Sequence, residues 1–192
     1  QLTSLEGTLE RNHFELRKQE DAFTTGDLAD VDLLIITCAL DEYTTDELNA
    51  IAGWASSGNK SLIITGRGDY SALDGYTNVE CPNSILEEIG SDIRINDDNV
   101  YMLETYNLWY NDIFTVPAPE ETLGMTNAVG SFEVFSPNSL YFIDDDPVLP
   151  VIYADVSGYQ TDQYGPEPTV VYDDTDDGQN GEQIPLLAIE EI

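Results

Sequence analysis

The hydrophobic pattern divides the chain into two unlike halves. Asp32-Leu33-Leu34-Ile35-Ile36-Thr37 and Ser61-Leu62-Ile63-Ile64-Thr65 are short, nearly continuous apolar runs. Such runs mark strands covered on both faces. Between them, Leu48, Ile51, Ala52 and Ala55 recur on one helical face. Thr44-Thr45-Asp46-Glu47 supplies a capping box at the start of that helix, and Gly58 stands in the C′ role at its end. Leu2, Leu5 and Leu9 predict an amphipathic helix over residues 1–12, and Phe14 and Leu16 alternate like a short edge strand. Pro82 sits just inside the start of a short helix, Asn83–Ile89, which Gly90 ends.

Strands alternating with helices imply a mainly parallel sheet with right-handed crossovers and helices on both faces. The second half reads differently. Residues 131–143 resemble a hairpin around Ser136-Pro137-Asn138-Ser139, residues 148–156 and 169–172 are β-rich, and 184–189 is a further apolar run. The expected organisation is an α/β core over residues 1–130 and a β-rich extension over 131–192, packed as one domain. No strand precedes the first helix, and little follows Ile189. The expectation is a piece of a longer domain whose central strand is missing or is supplied by another chain through strand addition.

Charge then changes the picture. Thirty-eight carboxylates face six basic side chains, for a formal net charge of −32 over 192 residues. In dilute buffer such a charge drives self-repulsion, whereas at 1 M salt the Debye length falls to about 3 Å. Two lysines, Lys18 and Lys60, complete a composition suited to concentrated salt, with carboxylates holding water and cations at the surface. Disorder is disfavoured, because 41% of residues are hydrophobic and the apolar periodicity is clear. The acids are spread over the whole chain, which argues against an acidic decoy for a basic partner. No basic patch exists to neutralise phosphates, so direct nucleic-acid binding by charge attraction is disfavoured. No run of 18 apolar residues exists to span a membrane.

Candidate chemistry is sparse. In open α/β sheets ligands bind beyond the carboxyl ends of the strands. That places Cys38-Ala39-Leu40-Asp41-Glu42 and Gly66-Arg67-Gly68-Asp69 together, with Arg67, Asp69 and Asp41 as candidate ligand-binding residues. The second segment cannot be a nucleophile elbow, since Arg67 stands where serine or cysteine is required. An anion cradle is opposed by the neighbouring carboxylates, and Arg-Gly-Asp tripeptides are common by chance. A tight turn using glycine dihedrals is the plainer reading. Cys38 lacks a base, because the one histidine, His13, is predicted to lie far away. Cys38 and Cys81 either pair or are both small buried hydrophobes. Their loops fall on one sheet edge, which favours a disulfide between them.

Calcium or another cation is the one cofactor class the acid runs admit. Asp173-Asp174-Thr175-Asp176-Asp177-Gly178 opens like an EF-hand loop, with Asp173 and Asp177 as candidate ligands, but Ile184 stands where a bidentate glutamate belongs. Asp144 and Asp146, within Asp144-Asp145-Asp146, are candidate metal ligands too. For these runs, and for Asp97-Asp98, a solvated loop is the plainer expectation. The aromatic stretch Tyr101, Tyr106, Trp109, Tyr110 and Phe114 reads as core beneath the extension rather than a stacking surface.

From Ala29 to Asn99 the segments ADVDLLIIT, YTTDELNAIAGWASSGNKSLIITGRGDYS and ILEEIGSDIRINDDNV, with the tail IPLLAIEE, resemble a domain of unknown function. That domain belongs to large secreted proteins of salt-loving archaea. The family is related to the class I glutamine-amidotransferase-like fold, so the resemblance implies a flavodoxin-like sheet. It does not imply amidotransferase activity, because Arg67 replaces the cysteine that chemistry needs. The expected function is a non-catalytic binding or assembly module of a halophilic surface or secreted protein, located outside the cell or at its surface. Its partners would be further copies or other domains of a longer chain. The alternative is an enzyme or enzyme-accessory domain, hydrolysing sugars or nucleic acid, whose active groups lie partly outside this chain.

Overall fold

The apolar runs form strands and the amphipathic stretch between them forms the helix that crosses over. The computed structural model describes residues 3–37, 41–66, 68, 79–102, 111–113, 132–134, 137–144, 146–162, 166–172 and 181–192. It opens with α1 (Thr3–Arg11) and α2 (Thr25–Leu28), then β1 (Leu33–Thr37), α3 (Thr45–Ala55), β2 (Ser61–Thr65) and α4 (Glu80–Glu88). Among the described residues eight more strands follow: β3 (Ile93–Ile95), β4 (Asn99–Met102), β5 (Asn111–Ile113), β6 (Phe132–Val134), β7 (Leu140–Phe142), β8 (Val148–Tyr153), β9 (Gly158–Thr161) and β10 (Pro185–Glu190).

The β1–α3–β2 unit carries the parallel pairing, in register from Leu33↔Ser61 to Thr37↔Thr65. A parallel pair needs a long crossover, and α3 provides it. Thr44 caps α3 as expected: its hydroxyl accepts from Glu47 N, while the Glu47 carboxylate accepts from Thr44 N at 2.9 Å. The helix ends at a Ser56 C-cap, and Gly58 (φ +81°) and Asn59 (φ +52°) together turn the chain back in the left-handed region. Glycine costs nothing there and asparagine little. Gly90 (φ +79°) ends α4 directly after its Ile89 C-cap.

One face of the parallel pair is well covered. Leu34, Ile36, Leu62 and Ile64 pack against Ile51 and Trp54 of α3 and Ile85 of α4. Trp54 Nε1 donates to Val31 O at 2.7 Å, so the indole buries without orphaning its donor. Lys60 Nζ donates to the same carbonyl at 2.7 Å and reaches Asp32 at 3.1 Å.

The chain is mixed α/β, as expected, but parallel pairing is confined to β1–β2 among the described residues. The other four pairs, β3–β7, β4–β9, β5–β6 and β8–β10, are antiparallel. These are short strands that meet across the chain without crossover helices. Three sequence expectations change. Residues 12–20 form no strand; a left-handed His13 (φ +67°) turns the chain after α1 instead. The hairpin expected over 131–143 is not one, because β6 pairs with β5 and β7 pairs with β3. Residues 169–172 are not a strand either, since their backbone bonds to side chains.

Two further clusters fill the second half. Met102, Val151 and Ile152 pack with Val134, Leu186 and Ile189, and Val100, Ala154 and Ile184 pack with Tyr172 and Leu186. Val79, Leu86 and Ile95 join the halves through Ile64 and Leu140. The last strand is tied back as well: Glu190 accepts from Ser91 Oγ at 2.6 Å and from Asp92 N at 2.9 Å. No helix among the described residues is long and apolar enough to cross a membrane.

Candidate functional site

At the carboxyl end of β2 the backbone turns tightly against protein. A Cβ on Gly66 would lie 2.8 Å from both Asn138 Oδ1 and Ile95 Cγ2. Gly66 is therefore required for close approach, not for the left-handed dihedral that the sequence suggested: the positive-φ glycines of the described residues are Gly58 and Gly90. Ile95 and Asn138 thus pack against Gly66 at the carboxyl end of β2, the sheet edge at which open α/β folds bind ligands.

Of the three candidate ligand residues, Asp41 is the one that falls among the described residues. Asp41 is exposed in the loop after β1. Arg67 and Asp69 lie outside the described residues, as do Cys38 and the candidate metal ligands Asp173 and Asp177. Cys81 stands in the first turn of α4, buried and carrying a free thiol. The expected Cys38–Cys81 disulfide is thus corrected on its Cys81 side. Burial, together with the carboxylates of Glu42, Glu80 and Asp41, pushes the Cys81 thiol up. Burial and the charges of Cys81 and Glu47 likewise raise the Tyr43 phenol. The loop after β1 does approach Cys81, but it brings negative charge, which disfavours a thiolate.

Asp144 and Asp146 are exposed, and Asp144 Oδ1 accepts from Asp146 N at 3.1 Å, a local turn contact. Among the described residues no group of three or more His, Cys, Asp or Glu side chains is placed to hold a metal ion. Of the aromatic stretch, Tyr101 stacks on Tyr159 with ring centroids 6.0 Å apart, and the other four members lie outside the described residues.

The polar centre of the molecule is one the sequence reading placed in solvent. Asp98 is fully buried, between β3 and β4. Its Oδ1 accepts from Ser139 N at 2.7 Å; its Oδ2 accepts from Ser139 Oγ at 2.5 Å, Gln160 Nε2 at 2.5 Å and Asn96 Nδ2 at 3.3 Å. Burial pushes the Asp98 carboxyl up, and the bonds from Ser139, Gln160 and Asn96 pull it part of the way back. Asn138 Nδ2 donates to Asn96 O and Asp98 O, both at 3.0 Å.

Two amides carry the network outward. Asn96 Oδ1 accepts from Thr169 N at 2.8 Å and its Nδ2 donates to Val170 O at 2.7 Å. Gln160 accepts from Tyr172 N at 3.0 Å and donates to Val170 O at 2.9 Å. The segment 169–172 therefore satisfies its backbone on side chains where a ladder was expected. Tyr172 donates its hydroxyl to Leu140 O at 2.7 Å. The arrangement holds β4, β7, β9 and this strap in one register. It offers fixed, satisfied polar groups and no exposed nucleophile. As site residues, Asn96, Asn138, Ser139 and Gln160 had no part in the sequence reading, which used Asn138 and Ser139 only as a hairpin turn. The available signal was the polar quartet Asn96-Asp97-Asp98-Asn99 set between Ile95 and Val100, too short for a loop to escape the core.

No protein-family model matches the chain, and no curated protein matches it. Among solved structures it is similar to one described as "mmIFT52 N-terminal domain", with a TM-score of 0.62 and 20% sequence identity. The match covers 82% of this chain and 67% of that one. At this distance the likeness shows the fold alone: the chain shares the amidotransferase-like architecture of the IFT52 N-terminal domain.

Proposed function

We propose that this chain is a non-catalytic, extracytoplasmic module of a salt-adapted surface or secreted protein, built on a flavodoxin-like sheet and used for binding or assembly. The observation that carries the reading is the packing of Gly66 against Ile95 and Asn138. It sets protein side chains against one side of the strand end where this class of fold places its chemistry. The buried Cys81, surrounded by carboxylates, adds support, because reactive cysteines sit in electropositive, partly exposed surroundings. The salt-adapted part of the reading rests on the charge of −32 and on the resemblance to a domain of salt-loving archaea.

The test has two arms. The purified chain in about 3 M KCl, where the Debye length is below 3 Å, is offered amide, glycoside and phosphodiester substrates, and its melting temperature is followed as KCl is lowered. The expected result is no turnover and a melting temperature that falls steadily with dilution. Turnover that Arg67→Ala or Asp69→Ala abolishes would overturn the non-catalytic reading. A melting transition indifferent to salt would overturn the salt-adapted one.

A further inference from the structure

The turn between α3 and β2 carries no acid of its own, in a chain that is acidic nearly everywhere else. Between Glu47 and Asp69 no aspartate or glutamate occurs, the longest such interval in the sequence. Part of it is the inward side of α3 and β2, but Ser56, Ser57, Gly58, Asn59 and Ser61 are exposed. Asn59-Lys60-Ser61 occupies this turn, and of the asparagines in the chain Asn59 alone has a serine or threonine two positions on. That spacing, with any residue but proline between, is the acceptor pattern for N-glycosylation in a secreted chain. The pattern is short and arises by chance, so geometry has to decide. Lys60 is drawn inward: its Nζ donates to Val31 O at 2.7 Å and pairs with Asp32 at 3.1 Å. Asn59 and Ser61, on either side of it, stay outside. Ser56 and Ser57 donate their hydroxyls to the carbonyls of Gly53 and Trp54. Among the described residues the Asn59 amide and the Ser61 hydroxyl have no such partner. A Cβ built on Gly58 meets nothing within 4 Å, so there is room around the turn. The left-handed Asn59 (φ +52°) favours asparagine, but glycine would serve there as well, and that dihedral asks nothing of Ser61.

We propose that Asn59 is an N-glycosylation site, which takes its glycan from a lipid-phosphate-linked oligosaccharide through a membrane-bound transferase. The proposal rests on the extracytoplasmic reading above. In the transfer, Asn59 Nδ2 attacks the anomeric carbon of the first sugar. The N–C bond forms as the C–O bond to the phosphate breaks, the lipid phosphate leaves, and one Nδ2 proton passes to a base of the transferase. The Ser61 hydroxyl is the group by which the transferase recognises the acceptor. The glycan sets sugar hydroxyls, and the water they hold, on the exposed stretch that has no carboxylate. It stands at the amino end of β2, whereas Gly66, packed by Ile95 and Asn138, follows the carboxyl end. The modification therefore leaves that packed edge as it is.

The test is mass spectrometry of the protein isolated from the cells that make it, with the compartment of recovery recorded. Cleavage after glutamate releases Leu48–Glu80, which holds Asn49, Asn59 and Asn78 in one peptide. The expected peptide is heavier by whole sugar residues, and fragmentation places them on Asn59, with Asn49 and Asn78 bare as internal controls. Made in the same cells, Asn59→Gln and Ser61→Ala should each lose the added mass completely, and Ser61→Thr should keep it. If Asn59→Gln fails to fold, Ser61→Ala and Ser61→Thr decide between them. Added mass that survives Asn59→Gln, or that lies on a serine, overturns the assignment. A bare peptide from protein recovered outside the cell overturns the site and leaves the extracytoplasmic reading standing. A bare peptide from protein recovered in the cytoplasm overturns both.

Discussion

Asn83 closes the edge of Ile95 as a neighbouring strand would. Its Nδ2 donates to Ile95 O and its Oδ1 accepts from Ile95 N, each at 2.8 Å. One helix side chain thereby satisfies both backbone groups that β3 turns away from β7. Asn83→Ala should cost about 1–3 kcal/mol, because two partly buried backbone groups lose their partners. Asn83→Asp keeps the acceptor and faces Ile95 O with a second oxygen, so it should also destabilise. Denaturant melts in molar KCl check both, and an unchanged midpoint for Asn83→Ala would refute the pairing.

Asp98 gives a pH dependence opposite in sign to that of the capping carboxylates. Its folded pKa is raised, so the folded state binds the proton more tightly than the unfolded chain. Its contribution to stability therefore grows as pH falls from the raised value toward about 3.9, the ordinary aspartate value. Asp27 and Glu47 are lowered, by bonds from Thr24 and Thr44 respectively, and their contribution disappears as pH falls through their folded values. Asp98→Asn should destabilise at neutral pH by about 1–3 kcal/mol, since its amide would face the donors of Gln160 and Asn96. Melting temperatures from neutral to mildly acidic pH, wild type minus variant, isolate the Asp98 contribution. A difference that does not vary with pH would remove it.

Gly66 and Gly58 should respond to alanine for different reasons. At Gly66 the new methyl meets Asn138 and Ile95 at 2.8 Å, and overpacking of this kind costs about 1–3 kcal/mol. At Gly58 there is open space but a left-handed φ of +81°, and the strain of a side chain there is about 1 kcal/mol. Equilibrium unfolding of the two variants should rank Gly66→Ala as the more damaging. Enlarging Ile95→Phe in addition should worsen it; a Gly66→Ala variant as stable as the wild type would reopen the strand end to a ligand.

Cys81 should behave as a shielded thiol. In the native state it should react slowly with an aromatic disulfide, both because it is buried and because carboxylates oppose the thiolate. After unfolding without reductant its peptide should carry one alkyl group by mass spectrometry. Recovery of that peptide cross-linked to Cys38 would contradict the free thiol.

Local patterns in the chain were enough for the helix caps and the two parallel strands. Thr44 and Glu47 cap within four residues, and Leu33–Ile36 and Leu62–Ile64 are unbroken apolar runs, so neighbours along the sequence decide their state. The candidate site was not legible in the same way. Asp97-Asp98 has the composition of a solvated turn, and what buries Asp98 arrives from Ser139 and Gln160, 41 and 62 residues further along.

The residue order by itself settled the acidic character, the α/β class and the crossover unit, because charge is a sum and those elements are specified by adjacent side chains. Tertiary contact alone decided that β6 and β7 take different partners, that 169–172 bonds to Asn96 and Gln160, and that Cys81 is left free. Each of these depends on which distant donor reaches a buried group first, and desolvation makes that choice costly to leave unmade.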